Sequence, residues 1–265
     1  MPFGQVVPVT GLYPGFPGEV SRVLGGGIVT RPVLATTTTP ISFGAPVVII
    51  PNVGGGDAVQ SVADFIAGAN VFYPALFAGV AVREVRSQSG TNVYPQNPEA
   101  AQTGQFFQGT LASILVGEGT IAAIINNGTP ESQKPVYIRT VANAGVPSGI
   151  VGGFEATPGA TDLFTLVVGT GGAAAGQATI PVASTTNVQV GMSVTGGSAF
   201  PANAVVASLV ANTSITLNVN LTDALVAGDV MTLSNLVQLP YTVFRSGVIG
   251  PVNQSDITLK IRMAA

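Results

Sequence analysis

The sequence contains no histidine, no cysteine and no tryptophan among its 265 residues. The absence of histidine removes the commonest general acid–base group, the usual metal ligand and every catalytic pair of the Ser–His or Cys–His type. The absence of cysteine removes disulfides, thiolate zinc sites and thiol nucleophiles. These absences favour a protein that is not an enzyme and that uses no cofactor and no metal ion.

Charged residues are also scarce, at 8% of the chain, against about 25% in an average domain. The 9 basic and 12 acidic residues give a net charge of −3, and the basic residues are scattered singly. Because nucleic acids and anionic membranes attract basic clusters, we expect no nucleic-acid partner and no membrane partner. A surface with so little charge would be poorly soluble, so we expect neighbouring subunits to cover much of it.

The sequence also lacks long apolar runs. No run approaches the roughly 18 residues that a membrane-spanning helix needs. Residues 1–10 lack the charged and apolar regions of a signal peptide. We therefore expect a soluble protein that is made in a cytoplasm.

Glycine and proline, by contrast, are abundant. The 34 glycines and 19 prolines lie between short runs rich in Val, Ile and Thr, a pattern typical of all-β folds. The sequence predicts a mainly all-β, compact β-barrel or sandwich. One short helix is predicted near residues 57–67, with Asp57 as its N-cap and apolar residues at helical spacing after it. These apolar residues are Val59, Val62, Ala63 and Ile66.

Three stretches have clear strand character. Residues 41–51 form a continuous apolar run and predict a strand that is buried on both faces or paired centrally. Residues 77–85 predict a half-buried strand with Arg83 and Glu84 near the solvent. Residues 104–141 predict three antiparallel strands joined by short turns.

Residues 1–40 are predicted to form an extended N-terminal arm. Prolines recur in this segment too often for a helix or a central strand. The arm is too apolar for an idle linker, yet ordering it costs more free energy than burying its side chains returns. We therefore expect it to become ordered only against the body of the fold or a neighbouring subunit. The candidate partner-binding residues are Phe3, Val6, Val7, Leu12, Tyr13 and Phe16.

Residues 161–234 differ in composition from the rest of the chain. They contain no Lys or Arg and only three acidic residues. We interpret them as a β-module inserted into a main β-barrel domain, which comprises residues 41–160 and 235–265. Both a duplication and two similar hairpins fit a degenerate repeat with a shift of 37 residues. In this repeat Ile180, Val182, Val188, Gly191 and Val194 superpose on Leu217, Val219, Leu225, Gly228 and Met231.

Four charged residues are candidates for catalysis, and each has a simpler structural interpretation. Lys134 lies in a Gln-Lys-Pro turn and Lys260 on an alternating strand, so both are expected to face the solvent. Asp57 and Asp64 lie seven residues apart on one predicted helix, where two carboxylates could serve glycoside hydrolysis. A helix cap at Asp57 and a polar helix position at Asp64 explain them better.

Two further patterns imitate ligand sites. Residues 169–174 have the glycine spacing of the dinucleotide fingerprint, but strand-like sequence follows them instead of a helix, so we expect a flexible loop. Asp223 and Asp229 lie near Asn218 and Asn220 without the ligand spacing of an EF-hand. Polar turns are therefore expected here rather than a calcium site.

Several stretches, taken together, resemble the capsid cement (decoration) proteins of tailed bacteriophages. They are MPFGQVVPVTGLYPGFPG, ISFGAPVV, SVADFIAG, PALFAGVAVREV, GEGTI, KPVYIRT and VPSGIVGGFEA, and the resemblance covers roughly residues 1–160 and 235–265. It implies a compact β-barrel that assembles on the capsid exterior and clamps neighbouring capsomers. Residues 161–234 depart from this pattern and are similar to small β-modules appended to many phage virion proteins.

The resemblance and the composition lead to one main functional expectation. The chain is expected to be a virion protein on the capsid exterior, made in the bacterial host cytoplasm, with the major capsid protein as its partner. A homo-oligomer is expected, with a trimer favoured over a dimer, because several arms together give high avidity. The alternatives are a tail or baseplate component and a carbohydrate-binding β-module protein, in which the insert would bind a host-surface glycan.

Overall fold

The computed structural model describes residues 17–18, 20–23, 27–53, 56–83, 104–247 and 254–260. These residues form mostly strands, with one short α-helix and two 3-10 turns. The predicted all-β fold is therefore confirmed. Within the described residues, no helix is long and apolar enough to cross a membrane.

The elements are numbered in chain order. The first ten strands are β1 Val20–Val23, β2 Gly27–Pro32, β3 Ile41–Ser42, β4 Pro46–Val53, β5 Gly56–Ser61, β6 Phe77–Ala81, β7 Gln105–Phe106, β8 Leu111–Val116, β9 Glu118–Asn127 and β10 Pro135–Arg139. The remaining strands are β11 Phe154–Glu155, β12 Leu163–Val167, β13 Thr179–Pro181, β14 Ser193–Thr195, β15 Val206–Val210, β16 Ser214–Leu217, β17 Val230–Ser234, β18 Leu236–Phe244 and β19 Gln254–Lys260. Helix α1 is Val62–Ala67, and the 3-10 turns are Pro74–Leu76 and Ala160–Asp162.

A closed ring of strands forms the barrel. Around the ring, β9 is followed by β11, β10, β18 and β19, and β19 pairs back to β9. The long strand β9 makes this possible, because β19 pairs along one edge while β1 and then β11 share the other. Closure avoids exposed strand edges. The barrel core includes Ile121, Ile125, Val136, Ile138, Val237, Leu239, Ile257 and Leu259.

A second sheet, in the order β2-β8-β6-β4-β5, packs beside the barrel. Successive side chains of its central strands point to opposite faces, so Val47 packs in this sheet's own core and Val48 in the core shared with the barrel. The prediction that residues 41–51 form a strand that is buried on both faces or paired centrally is confirmed for β4, which pairs with both β5 and β6 and is buried at residues 46–48. Gly44 at φ +77° separates β3 from β4. Strand β6 is more buried than the half-buried strand predicted, and Glu84 lies outside the described residues.

The helix starts later than predicted. Gly56–Ser61 form β5, which pairs with β4 and places Val59 opposite Ile49. Asp57 is therefore exposed on a strand, and the N-cap is Ser61, whose hydroxyl accepts from the Asp64 N–H at 3.1 Å. The prediction of the helix start is wrong because pairing with β4 overrides the local helical spacing. The end near Gly68 is correct, since Gly68 is the C-cap.

The strands predicted within residues 104–141 exist, but their predicted antiparallel pairing with each other is wrong. Gly117, at φ +78°, turns the chain from β8 in the second sheet into β9 in the barrel. Strand β11 then lies between β9 and β10 and pairs with β9 in parallel. Short connections predict neighbours in most hairpins, but here a one-residue bend joins two different sheets.

Part of the predicted N-terminal arm, residues 1–40, belongs to the sheets instead. Val20–Val23 pairs with β9 and Gly27–Pro32 pairs with β8, so both segments belong to the sheets. Pro32 is compatible with pairing because it is the last residue of an edge strand. Residues 20–23 and 27–32 are thus part of the body, and residues 1–16 lie outside the described residues.

Residues 163–234 form two three-stranded sheets, β12-β17-β14 and β13-β16-β15. They enclose a hydrophobic core of their own, with members such as Ile180, Met192, Ile215 and Met231. The first and last strands are paired neighbours, and the Asn235 N–H donates to the Asp162 carbonyl at 3.1 Å. Both ends of the module therefore leave the barrel at one place, as an insertion requires.

The two repeats of the module pair with each other. Strand β13 pairs with β16 and β14 with β17, which are the equivalent strands of the two copies. Threonines that are 37 residues apart lie directly opposite each other: Thr179 with Thr216, and Thr195 with Thr232. The equivalent Gly191 and Gly228 both have φ +94°. In each of these strand pairs one residue thus lies opposite its own counterpart, as an approximate two-fold axis requires, which favours a duplication over two similar hairpins.

Candidate functional site

The predicted partner-binding residues all lie within residues 1–16, outside the part of the chain that the structure describes. Their role therefore stays a prediction; they are Phe3, Val6, Val7, Leu12, Tyr13 and Phe16. The structure does describe Pro17 and Gly18, which directly follow this segment, and the surface beside them is apolar.

Gly18 fixes the start of the described chain to the body. Its N–H donates to the Ala122 carbonyl and its carbonyl accepts from the Arg83 N–H, both at 2.8 Å. Its φ is +78°, and a Cβ at Gly18 would lie 2.7 Å from the Arg83 nitrogen, so only glycine fits here. Gly18, which follows the apolar N-terminal segment in the chain, is thus held between barrel strand β9 and Arg83, which follows β6.

An apolar groove of about 280 Å³ opens beside this anchor. Gly44 lines the groove, and a Cβ at Gly44 would lie 2.9 Å from the Gly18 nitrogen, so the groove and the anchor share a wall. Ile124 and Ile150 line it as well and are 43% and 58% exposed. None of the described residues that line it carries a charge. This Gly44 groove therefore suits an apolar segment.

A buried arginine joins the barrel to the module. Arg139 ends β10, and its side chain and those of Glu155 and Asp162 are completely buried. Its Nε and Nη2 donate to the two oxygens of Glu155. Its Nη1 and Nη2 donate to the two oxygens of Asp162, at 2.8 and 3.1 Å. Both contacts are bidentate, which is the strongest geometry for an arginine–carboxylate pair.

Asp162 accepts further hydrogen bonds from both sides of the junction. Its Oδ1 accepts from Asn143 Nδ2 at 2.8 Å and from Asn235 Nδ2 at 3.3 Å. Its Oδ2 accepts from the Gly159 N–H at 3.0 Å. Because Asp162 and Asn235 flank the module, the network ties both of its ends to β10 of the barrel. Its carboxylates and guanidinium are fully engaged with one another, so the network is a structural joint rather than a reactive centre.

Hydrogen bonds hold Asp162 and Arg139 in their charged forms. Burial favours a neutral Asp162, but hydrogen bonds from Arg139 and Asn143 outweigh burial and lower the pKa of its carboxyl from 3.8 to about 2. Burial likewise opposes the charge on Arg139, but its hydrogen bonds to Glu155 and Asp162 raise the pKa of the guanidinium further above its ordinary value.

Acid is expected to weaken the joint. Because the pKa of Asp162 is lower in the folded state, its stabilisation is complete above about pH 4 and is lost as the pH falls towards about 2. At about 1.4 kcal/mol per pKa unit, the free energy of unfolding should fall by about 2 kcal/mol on this account. Urea unfolding between these pH values measures the effect. Asp162→Asn should show a shallower pH dependence than the parent, and parallel curves would contradict the assignment.

Asp57 and Asp64 do not share an environment. Asp57 is exposed on β5, whereas Asp64 is buried at the start of α1. The Asp64 carboxylate accepts from the Thr38 hydroxyl at 2.6 Å and from Gln60 Nε2 at 2.5 Å. Burial alone would raise the pKa of Asp64, but these hydrogen bonds lower it. Asp64 therefore holds Thr38 and Thr39 against the helix, which is a structural role.

The remaining predicted charges have turn or surface positions. Lys134 is exposed in the turn before β10, as expected, and the side chain of Lys260 lies outside the described residues. Asp223 accepts from the Ala224 N–H and Asp229 from the Val226 N–H, each at 2.8 Å. These are polar turns, as predicted. Among the described residues, no group of three or more acidic, histidine or cysteine side chains could hold a metal ion.

The glycine-rich segment at residues 169–174 is a turn. Gly171 and Gly172 have φ +95° and +63°, and strand β13 follows where a dinucleotide site would need a helix. The interpretation as a loop is therefore confirmed.

The sequence-based reasoning missed the joint around Arg139. A signal was present, because charges are rare in this chain and Asp162 lies at the boundary of the segment that lacks basic residues. Arg139 also lies on the outward side of β10, in alternation with the inward Val136 and Ile138. An outward arginine is normally solvated, and only the module above it makes this one buried.

No family model matches the chain, and no curated protein sequence matches it significantly.

Proposed function

We propose that this protein decorates the outside of a bacteriophage capsid and stabilises the shell by clamping neighbouring subunits of the major capsid protein. The observation that carries the proposal is the Gly44 groove. An apolar, uncharged groove opens where the apolar N-terminal segment joins a rigid β-body. One subunit thus has an apolar segment that can reach a neighbour and an apolar surface that can receive one.

The chemistry of the segment and of the groove is what adhesion to a shell requires. Phe3, Leu12, Tyr13 and Phe16 supply large apolar side chains, each of which gains roughly 1.5–3 kcal/mol when fully buried. Ile124 and Ile150 remain partly exposed in the groove of the single chain. Contacts of this size are weak one at a time, but an oligomer that makes several of them together binds with high avidity.

The described residues also support a structural role rather than a catalytic one. The buried charged groups, Arg139, Glu155, Asp162 and Asp64, all form hydrogen bonds that hold the fold together. The body is a closed barrel braced by a second sheet, which suits a protein that resists mechanical load. We infer a structural virion protein, and not an enzyme.

Deletion of residues 1–16 tests the segment. Pro17 and Gly18 are kept because Gly18 anchors the chain. We expect retention on purified capsids to fall at least about tenfold, since several buried apolar side chains are lost from each subunit. The control is a full-length chain in which Phe3, Leu12, Tyr13 and Phe16 are replaced by serine, which keeps the length and should lose retention equally.

The groove has a matched test of its own. Ile150→Asp places a charge in the Gly44 groove, whereas Val210→Asp places one on the module at nearly equal exposure, 58% against 59%. Only Ile150→Asp should reduce retention. Undiminished binding of both the deletion and Ile150→Asp would overturn the adhesive role, and an electron-microscopy map that places the chain in the tail or baseplate would overturn the capsid location.

A further inference from the structure

A second groove lies between the barrel and the module, and we name it the junction groove. It has a volume of about 440 Å³. The barrel contributes Tyr137 and Gln238, which lie directly opposite each other on β10 and β18. The module contributes Ser193 and Thr195 of β14 and the loop at residues 202–205. Small-molecule sites typically measure about 300–1,000 Å³ and favour such boundaries between folding units.

The lining of the junction groove is mostly apolar, includes several polar side chains and carries no charge. The Ser193 and Thr195 hydroxyls donate to the carbonyls of Leu236 and Thr232, at 2.7 and 3.3 Å. The side chains of Tyr137, Asn203 and Gln238 differ, because within the described residues they form no hydrogen bond. One phenol and two amides are therefore available to a ligand, with both donors and acceptors among them.

The lack of charge and the three unpaired polar side chains limit the chemical class of ligand that the groove can bind. A charged ligand would meet no opposite charge among the residues of the groove. A purely apolar ligand would cover the phenol and both amides without pairing them, which is unfavourable. A neutral ligand with several hydroxyls and an apolar face satisfies both conditions. Pyranose sugars have this character, since their hydroxyls pair with amides and their C–H faces pack on aromatic rings and prolines.

Several apolar surfaces of the groove suit the face of a sugar ring. The Tyr137 ring is half-buried in the wall, and Pro74, Pro158 and Pro240 also line the groove. Burial raises the pKa of the Tyr137 phenol, so the hydroxyl stays a neutral donor at physiological pH. Two walls come from the barrel and the module, and the Arg139 joint fixes these parts relative to each other, so the groove is preformed.

We propose that the junction groove binds a neutral saccharide. Tyr137 supplies the packing surface, and Gln238 and Asn203 bind the hydroxyls. The site goes beyond capsid decoration and does not depend on it, because every group that it uses belongs to the single chain. On a particle, it would give each copy of the protein a weak hold on a neutral glycan surface.

The test uses the full-length protein and saturation-transfer NMR. The probes are neutral oligosaccharides (maltotriose, cellotriose, triacetylchitotriose and lactose), with sialyllactose and a heparin tetrasaccharide as charged counterparts. We expect at least one neutral probe to bind at millimolar concentration and both charged probes to bind more weakly. Gln238→Ala and Asn203→Ala should each weaken binding at least about fivefold.

Two further variants keep the test decisive. Gln189→Ala is the matched control, because Gln189 is another exposed glutamine whose side chain forms no hydrogen bond within the described residues, and it should bind like the parent. Ala202→Phe fills the groove without removing a polar group and should abolish binding with an unchanged unfolding midpoint. The proposal fails if no neutral probe binds, if the charged probes bind better, or if Gln238→Ala and Ala202→Phe bind like the parent. Because no capsid is present, failure here leaves the decoration proposal untouched.

Discussion

Replacing Arg139 with methionine is expected to lower the free energy of unfolding by about 3–5 kcal/mol. Methionine replaces the apolar stem of the arginine side chain but removes the guanidinium. The carboxylates of Glu155 and Asp162 would then remain buried without their shared partner. An uncompensated buried charge is strongly destabilising, since no solvent replaces the lost hydrogen bonds. Urea unfolding followed by circular dichroism measures the change.

The control for this variant is Arg245→Met. Arg245 is exposed at the end of β18, so its replacement should change the free energy of unfolding by less than about 0.5 kcal/mol. A triple variant, Arg139→Met with Glu155→Gln and Asp162→Asn, removes all three charges and should recover part of the loss. A loss below about 1 kcal/mol for Arg139→Met alone would show that water enters the site and that the joint is not dry.

The second large effect is expected at Gly152. Gly152→Ala should lower the free energy of unfolding by about 2–4 kcal/mol, from backbone strain and from a clash. The φ of Gly152 is +79°, and a Cβ would lie 2.3 Å from the Ala63 nitrogen in α1. The Gly152 N–H also donates to the Arg139 carbonyl at 2.7 Å, which holds the residue in place. The added methyl group would therefore push the loop away from the helix.

Gly176→Ala separates the clash from the strain. Gly176 has nearly the same φ, +81°, but no atom lies within 4 Å of the position that a Cβ would take there. Its replacement should cost only the strain of the left-handed backbone, about 1–2 kcal/mol. The difference between the two variants, measured by the same urea titration, is the contribution of the contact with α1. Equal losses would mean that the loop and the helix are not in close contact.

Features that depend on residues close together in the chain were predicted correctly, whereas features that depend on distant residues were not. Alternating and continuous apolar runs predicted β4, β8 and β9 correctly, because one strand carries its own pattern of burial. Gly68 as the end of the helix is a local signal too. The helix start at Asp57 failed because pairing with β4, a non-local interaction, decided the fate of residues 56–61.

The same division applies to the candidate sites. The N-terminal segment was singled out from its own composition, and its partner contacts stay a prediction. The two grooves could not have been predicted, since each joins distant parts of the chain: residues 44, 124 and 150 in one, and residues 137, 195, 203 and 238 in the other. No window of sequence contains such a set.

The composition and local patterns of the sequence predict that this protein is rich in β-structure, that residues 161–234 form a separate unit without Lys or Arg, and that this unit repeats with a shift of 37 residues. Turn residues, alternation and composition are local properties, so the chain states them directly. The tertiary structure alone decided which strands close the barrel, that Arg139 is buried beneath the module, and that a neutral groove lies at the junction. These features depend on contacts between residues far apart in the chain, because a strand specifies which of its faces is apolar but not which strand lies beside it.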